Sequence, residues 1–104
     1  MTISKHLTND RKARTDFIKN TVGIGHIIKE RIVEKYGRLQ RSCITDTGVM
    51  VIKSYDEEKV ITMWIATLGQ IAQVYVDEVI PNELKMKARN NSIYQHAQRM
   101  LTYQ

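Results

Sequence analysis

The chain has 104 residues, 42% hydrophobic and 26% charged, with 16 Lys/Arg against 11 Asp/Glu for a net charge of +5. That is the size and composition of a single domain, read as residues 1–104, that buries a core without staples; the lone Cys43 excludes an internal disulfide, and no segment is apolar for long enough to be a leader or a membrane span, so a cytoplasmic protein without membrane contact is expected. The charge is segregated: residues 1–41 carry ten cations and four anions (+6), residues 42–80 two and six (−4), and residues 81–104 four and one (+3).

Thr8 is placed to cap a first helix over 9–20, with Phe17, Ile18 and Val22 turned inward. After Gly23 and Gly25, the fourfold spacing of Ile24, Ile28 and Ile32 predicts a second helix from Ile24 or His26 to Tyr36, ended by Gly37 as a left-handed cap. A basic connector, Arg38 to Arg41, leads to a short strand at 42–45. Asp46-Thr47-Gly48 then reads as a turn. Residues 49–55 and 60–66 are rich in β-branched and aromatic side chains and form two strands joined by Asp56-Glu57-Glu58-Lys59. That loop length sets Ile52 opposite Met63 and Val51 opposite Trp64. The strand at 60–66, apolar on both faces, is expected to be central or covered on both sides.

Thr67 and Gln70 have capping-box spacing and open a helix carrying Leu68, Ile71, Ala72, Tyr75 and Val79. Pro81 suits the first turn of a further helix with Leu84 and Ala88. Asn90-Asn91 ends it, and Ser92 with Gln95 opens a last helix whose stripe is Ile93, Ala97, Met100 and Leu101. The order ααβββααα gives the fold class: α+β, a small three-stranded antiparallel sheet packed by N-terminal and C-terminal helices.

The chain holds no zinc-ligand spacing, since His6, His26 and His96 are scattered and Cys43 stands alone. No cofactor is expected, and Gly23-Ile24-Gly25 lacks the Gly-Lys-Ser/Thr ending of a phosphate loop. Cys43 reads as a small apolar residue in a buried strand. His26, beside Lys29 and Arg31, is the one candidate acid or base, although an exposed imidazole needs no such role. Trp64 and Tyr55 are placed for core packing in preference to base stacking. The cations fall into patches: Arg11 and Arg14 on the first helix; Lys29, Arg31, Lys35, Arg38 and Arg41 around the second; Lys85, Lys87 and Arg89 near the end. Singly each is a solvated surface charge; together they form a surface for a polyanion, RNA or DNA, or for a protein that handles nucleic acid.

Three stretches carry a resemblance: His26-Ile-Ile-Lys-Glu-Arg31, Val49-Met-Val-Ile52, and Val60-Ile-Thr-Met-Trp-Ile-Ala66 leading into Thr67. In these the chain resembles small phage and mobile-element proteins related to the RelE-type toxin fold. The resemblance implies an RNase in which basic and aromatic side chains act on mRNA, with His26 as acid or base and Arg31, Arg38 and Arg41 on the phosphate. The alternatives are a non-catalytic inhibitor of a host nuclease, of the anti-CRISPR type, and a structural homo-oligomer paired through the C-terminal helix, with Tyr94 and Tyr103 as anchors.

Overall fold

The computed structural model describes the backbone of residues 2–102 and the side chains of residues 12–101. The elements run α1 (Thr2–Thr21), β1 (Ile27–Lys35), β2 (Arg38–Thr45), β3 (Val49–Ser54), β4 (Val60–Ile65), α2 (Leu68–Tyr75), α3 (Asn82–Asn90) and α4 (Ser92–Thr102). The fold is α+β, and its sheet is an antiparallel meander in the order β1-β2-β3-β4. The helix at the N-terminus starts well before Asn9, so Thr8 lies within it; the side chain of Thr8 is outside the described residues.

The sheet has four strands where three were expected, because the second predicted helix is β1. A spacing of four is a multiple of two as well as close to one helical turn, so Ile24, Ile28 and Ile32 satisfy both periods. What decides is the next pair. Tyr36 and Gly37 both have positive φ, 55° and 76°, as a two-residue type I′ hairpin requires, and Lys35 pairs with Arg38 across it. Gly37 is left-handed as anticipated, but it turns a hairpin and does not cap a helix. The basic connector is accordingly the first half of β2.

The register between β3 and β4 also differs from expectation. Ile52 faces Thr62, Val51 faces Met63 and Met50 faces Trp64, with an irregularity before Lys53 and Val60. The Ser54 amide donates to the Lys59 carbonyl at 3.0 Å, which closes a loop of the same length one residue earlier, over 55–58. A shift of one residue moves a side chain to the other face. It takes Trp64 from the Val51 side to the Met50 side of the sheet.

Each face has its own core. On one, Ile44 and Met50 pack with Ile71, Val74, Tyr75, Leu84 and Ala88 of α2 and α3, flanked by Ile52, Trp64 and Leu68. On the other, Ile18 of α1 packs with Cys43, Val49, Val51 and Ile65, flanked by Phe17 and Met63. Thus β4 is an edge strand and not a central one; its Met63–Ile65 end is packed on both faces, while Val60 is exposed. α2 begins with the anticipated capping box: Thr67 accepts from the Gln70 amide and Gln70 accepts from the Thr67 amide. Val79 lies beyond its end. Pro81 precedes α3, and Asn91 closes it.

α4 departs from the expected stripe. Ile93 and Met100 face solvent, whereas Asn91 and Gln98 are buried. Gln95 donates to the carbonyls of Ala66 (2.7 Å) and Ala88 (3.0 Å), so its amide joins elements and does not close a box on Ser92. Gln98 accepts from the Ile65 amide at 2.8 Å and donates to the Ile65 carbonyl at 2.7 Å. One side-chain amide therefore occupies the outer hydrogen-bonding edge of β4 as a further strand would.

Candidate nucleic-acid interface on the open half of the sheet

Side chains alternate along each strand, so the ladder partners identify which of them share a face. On the side covered by α2, one row is Lys29, Ile44, Met50 and Trp64, and the next is Arg31, Ser42, Ile52 and Thr62. Val33, Gln40 and Ser54 follow, then Lys35 and Arg38 beside the hairpin turn. α2 covers only the first of these rows. Beyond it lies an open cleft of about 490 Å³, its floor formed by Val33, Met50, Ile52, Ile61 and Trp64. Arg31, Lys35, Gln40, Ser42 and Thr62 supply polar groups to it; Glu34 borders it, although strand alternation places its side chain on the opposite face.

Two aromatic side chains line this cleft from opposite ends. Trp64 is held in place: its Nε1 donates to Gln70 Oε1 at 3.1 Å, and the same oxygen takes the Thr67 amide at 2.9 Å. Tyr36, at the hairpin tip, is 93% exposed, with the Lys35 ammonium 5.9 Å from its ring centroid. Trp64 thus has core contacts as anticipated, and cations reach the cleft beside it that are distant in sequence. Alternation along 27–35 would have found them; the helical reading scattered them round a wheel.

The cations named from sequence separate into different roles. Arg31 lines the cleft while its Nη1 donates to the Gln73 carbonyl at 2.7 Å, which fixes its stem. Lys35 and Arg38 are exposed on the hairpin, and Arg38 also lines a neighbouring hollow of about 400 Å³ with Tyr55 and Asp56. Lys29 is committed to Glu78 and to the Tyr75 ring, 5.7 Å away. Arg41 points to the other face. Its guanidinium clasps the loop after β3, donating to the carbonyls of Ser54 (3.0 Å) and Glu57 (2.9 Å) and to Glu58 Oε1 (3.1 Å). Hydrogen bonds from Lys53 and Arg41 hold the Glu58 carboxyl below its ordinary range. Arg14 of α1 donates to Thr62 Oγ1 at 2.9 Å. Lys85, Lys87 and Arg89 lie on α3, no residue of which lines the cleft. The side chain of Arg11 is outside the described residues, as is Tyr103. Tyr94 packs edge-on against Phe17 with centroids 6.3 Å apart, so it anchors α4 to α1.

His26 precedes β1 at the far end of the hairpin from Arg38. At about 3.3 Å per residue the two are about 30 Å apart along the strand. Its backbone amide donates to Asp46 Oδ1 at 2.8 Å. Gly25, with φ of 76°, lets that carboxylate approach; a Cβ there would sit 2.2 Å from Asp46 Oδ1. Thr47 Oγ1 donates to the Gly23 carbonyl at 2.7 Å. The glycines of this stretch therefore dock a loop onto the 46–48 turn. The ring of His26 and the guanidinium groups of Arg31, Arg38 and Arg41 do not converge on one point.

Cys43 is fully buried, and its thiol donates to Glu30 Oε1 at 3.4 Å. Burial first, then that hydrogen bond, push its pKa from 9.0 to about 11. The folded state therefore favours the thiol over the thiolate. Its contribution to stability is intact below pH 9 and declines as the pH rises from 9 toward 11. Urea unfolding at stepped alkaline pH is expected to show this loss in the wild type and a smaller one in Cys43→Ala. An equal loss in both would assign alkaline sensitivity to other groups.

Among the described residues, no group of three or more His, Cys, Asp or Glu is placed to hold a metal ion, and no helix is long and apolar enough to cross a membrane. No protein-family model, curated protein or solved structure matches the chain.

Proposed function

We propose that this protein engages nucleic acid through the open half of its sheet, with single-stranded RNA or DNA as the preferred form. One observation carries the reading: Arg31, Lys35 and Arg38 share a sheet face with Trp64, and Tyr36 lines the same cleft from the hairpin tip. Unpaired bases present π-faces to aromatic side chains, each stack being worth about 1–3 kcal/mol, while cations alongside neutralise the backbone. The sheet face, not the helices, is then the basic surface that matters. The cationic sign of the hairpin suits contact with nucleic acid itself, free or carried by an enzyme such as a host nuclease. Hydrolysis by a RelE-like mechanism is the less favoured reading, because His26 stands at the opposite end of the hairpin from Lys35 and Arg38.

The chain has one tryptophan, so stacking is readable directly. Titration with twelve-nucleotide oligo-U and oligo-dT is expected to quench Trp64 emission, with an affinity that falls as salt rises. Each phosphate contact contributes about 0.7 to the log–log slope on a single strand. Replacing both Lys35 and Arg38 by Glu is expected to weaken binding and flatten the slope by about 1.4. Both side chains are exposed, so the circular dichroism melt should be preserved. Arg41 is kept as it is, since its guanidinium holds a loop. Unquenched emission, or equal binding by the double variant at all salt concentrations, would refute the reading.

A further inference from the structure

The two edges of the sheet are treated differently. The outer edge of β4 is occupied at Ile65 by the Gln98 amide. β1 forms the other edge, and its nine residues are long for an unprotected edge strand. In a two-residue hairpin the residues flanking the turn, here Lys35 and Arg38, bond to each other, and alternate residues do so down the ladder. Val33 and Arg31 therefore bond to β2, while the amides and carbonyls of Glu30, Ile32 and Glu34 point away from it. Among the described residues these outward groups have no backbone partner.

The side chains along this edge are sorted by sign. Lys29, Arg31 and Lys35 lie on the α2 face, Glu30 and Glu34 on the opposite face, and Ile32, 56% exposed, lies between the glutamates. A second copy of β1 is a poor occupant. Antiparallel pairing about a two-fold axis sets residues of the same face opposite each other, and so sets like charges together. Centred on Arg31 it opposes Arg31 to itself; centred on Ile32 it opposes Lys29 to Lys35 and Glu30 to Glu34. Like charges directly opposite are destabilising. The same pattern attracts a strand of reversed order.

We propose that the outer edge of β1 is a docking strand for an extended segment of a partner protein, one that carries acidic side chains on the α2 face, basic ones on the other, and an apolar residue opposite Ile32. Main-chain hydrogen bonds to Glu30, Ile32 and Glu34 supply the attachment, and the alternating charges set register and direction. The attachment uses the backbone edge of β1 and not the cleft floor, although Arg31 and Lys35 face both the docked strand and the cleft.

The test uses an acetylated, amidated heptapeptide, Glu-Lys-Val-Val-Glu-Lys-Glu, which opposes Lys35 through Lys29 in antiparallel order. Calorimetry should detect binding to the full chain, and the charge-swapped peptide Lys-Glu-Val-Val-Lys-Glu-Lys should bind at least tenfold more weakly. Ile32→Pro removes one outward amide and is expected to reduce binding at least tenfold. Hydrogen exchange on the wild type supplies the second measurement, with slowed exchange expected at the amides of Glu30, Ile32 and Glu34. Absence of peptide binding, equal binding of both peptides, or protection confined to other residues would overturn the proposal. So would a wild-type dimer whose β1 amides are protected without peptide.

Discussion

Ile44→Ala is expected to destabilise the protein by about 2–5 kcal/mol, whereas Ile28→Ala should cost well under half as much. Both isoleucines lie in the β1–β2 hairpin region and have identical chemistry. Ile44 is completely buried between β2 and the α2–α3 layer, so truncation leaves a cavity as well as losing the transfer free energy of three carbon atoms. Ile28 is 47% exposed at the β1 irregularity, and water fills the space that alanine leaves. Thermal unfolding reports the difference as a fall in Tm of roughly 10–20 °C for Ile44→Ala. Equal shifts would mean that 27–35 packs as the amphipathic helix its isoleucine spacing imitates.

Gln98→Leu is expected to destabilise by roughly 1–3 kcal/mol for each of the two Ile65 backbone groups that lose the side-chain amide. The leucine adds apolar surface at a buried position, so a purely hydrophobic account of α4 predicts stabilisation. The signs are opposite, and chemical denaturation distinguishes them. Gln98→Glu sharpens the test. A carboxylate can accept from the Ile65 amide but repels its carbonyl, while the protonated acid both accepts and donates, as the native amide does. Burial raises the pKa of the introduced group. The variant's stability should therefore be highest below the carboxyl's unfolded pKa and fall as pH rises through the folded one. A stability independent of pH between 4 and 7 would place residue 98 outside the strand edge.

Much of the fold is legible in local chemistry. The Thr67–Gln70 pair needs only its own turn of helix to form a capping box, so residue type and spacing suffice to predict it. The Asp46-Thr47-Gly48 turn, the two strands on either side of Asp56–Lys59, and the proline that precedes α3 are local in the same sense. Buried Cys43 was likewise legible, as a small apolar residue among β-branched neighbours. The segregation of positive charge toward both ends belongs to composition and survives any arrangement of elements.

The illegible parts are those in which two local solutions have similar free energy. A β-branched run with a spacing of four fits a helix or a strand; pairing with β2 through the Tyr36–Gly37 turn selects the strand. The buried face of α4 could not be read from apolar periodicity, because what it faces is the unpaired edge of Ile65, and an amide serves that edge better than an alkyl chain. The cleft is of the same kind. Sequence by itself determined that the chain is a basic α+β domain, and which residues are cations or aromatics. Only the tertiary structure decided that Arg31, Lys35, Tyr36 and Trp64 line one cleft while Arg41 is withdrawn to the other face, because strand register is settled by contacts far apart in the chain.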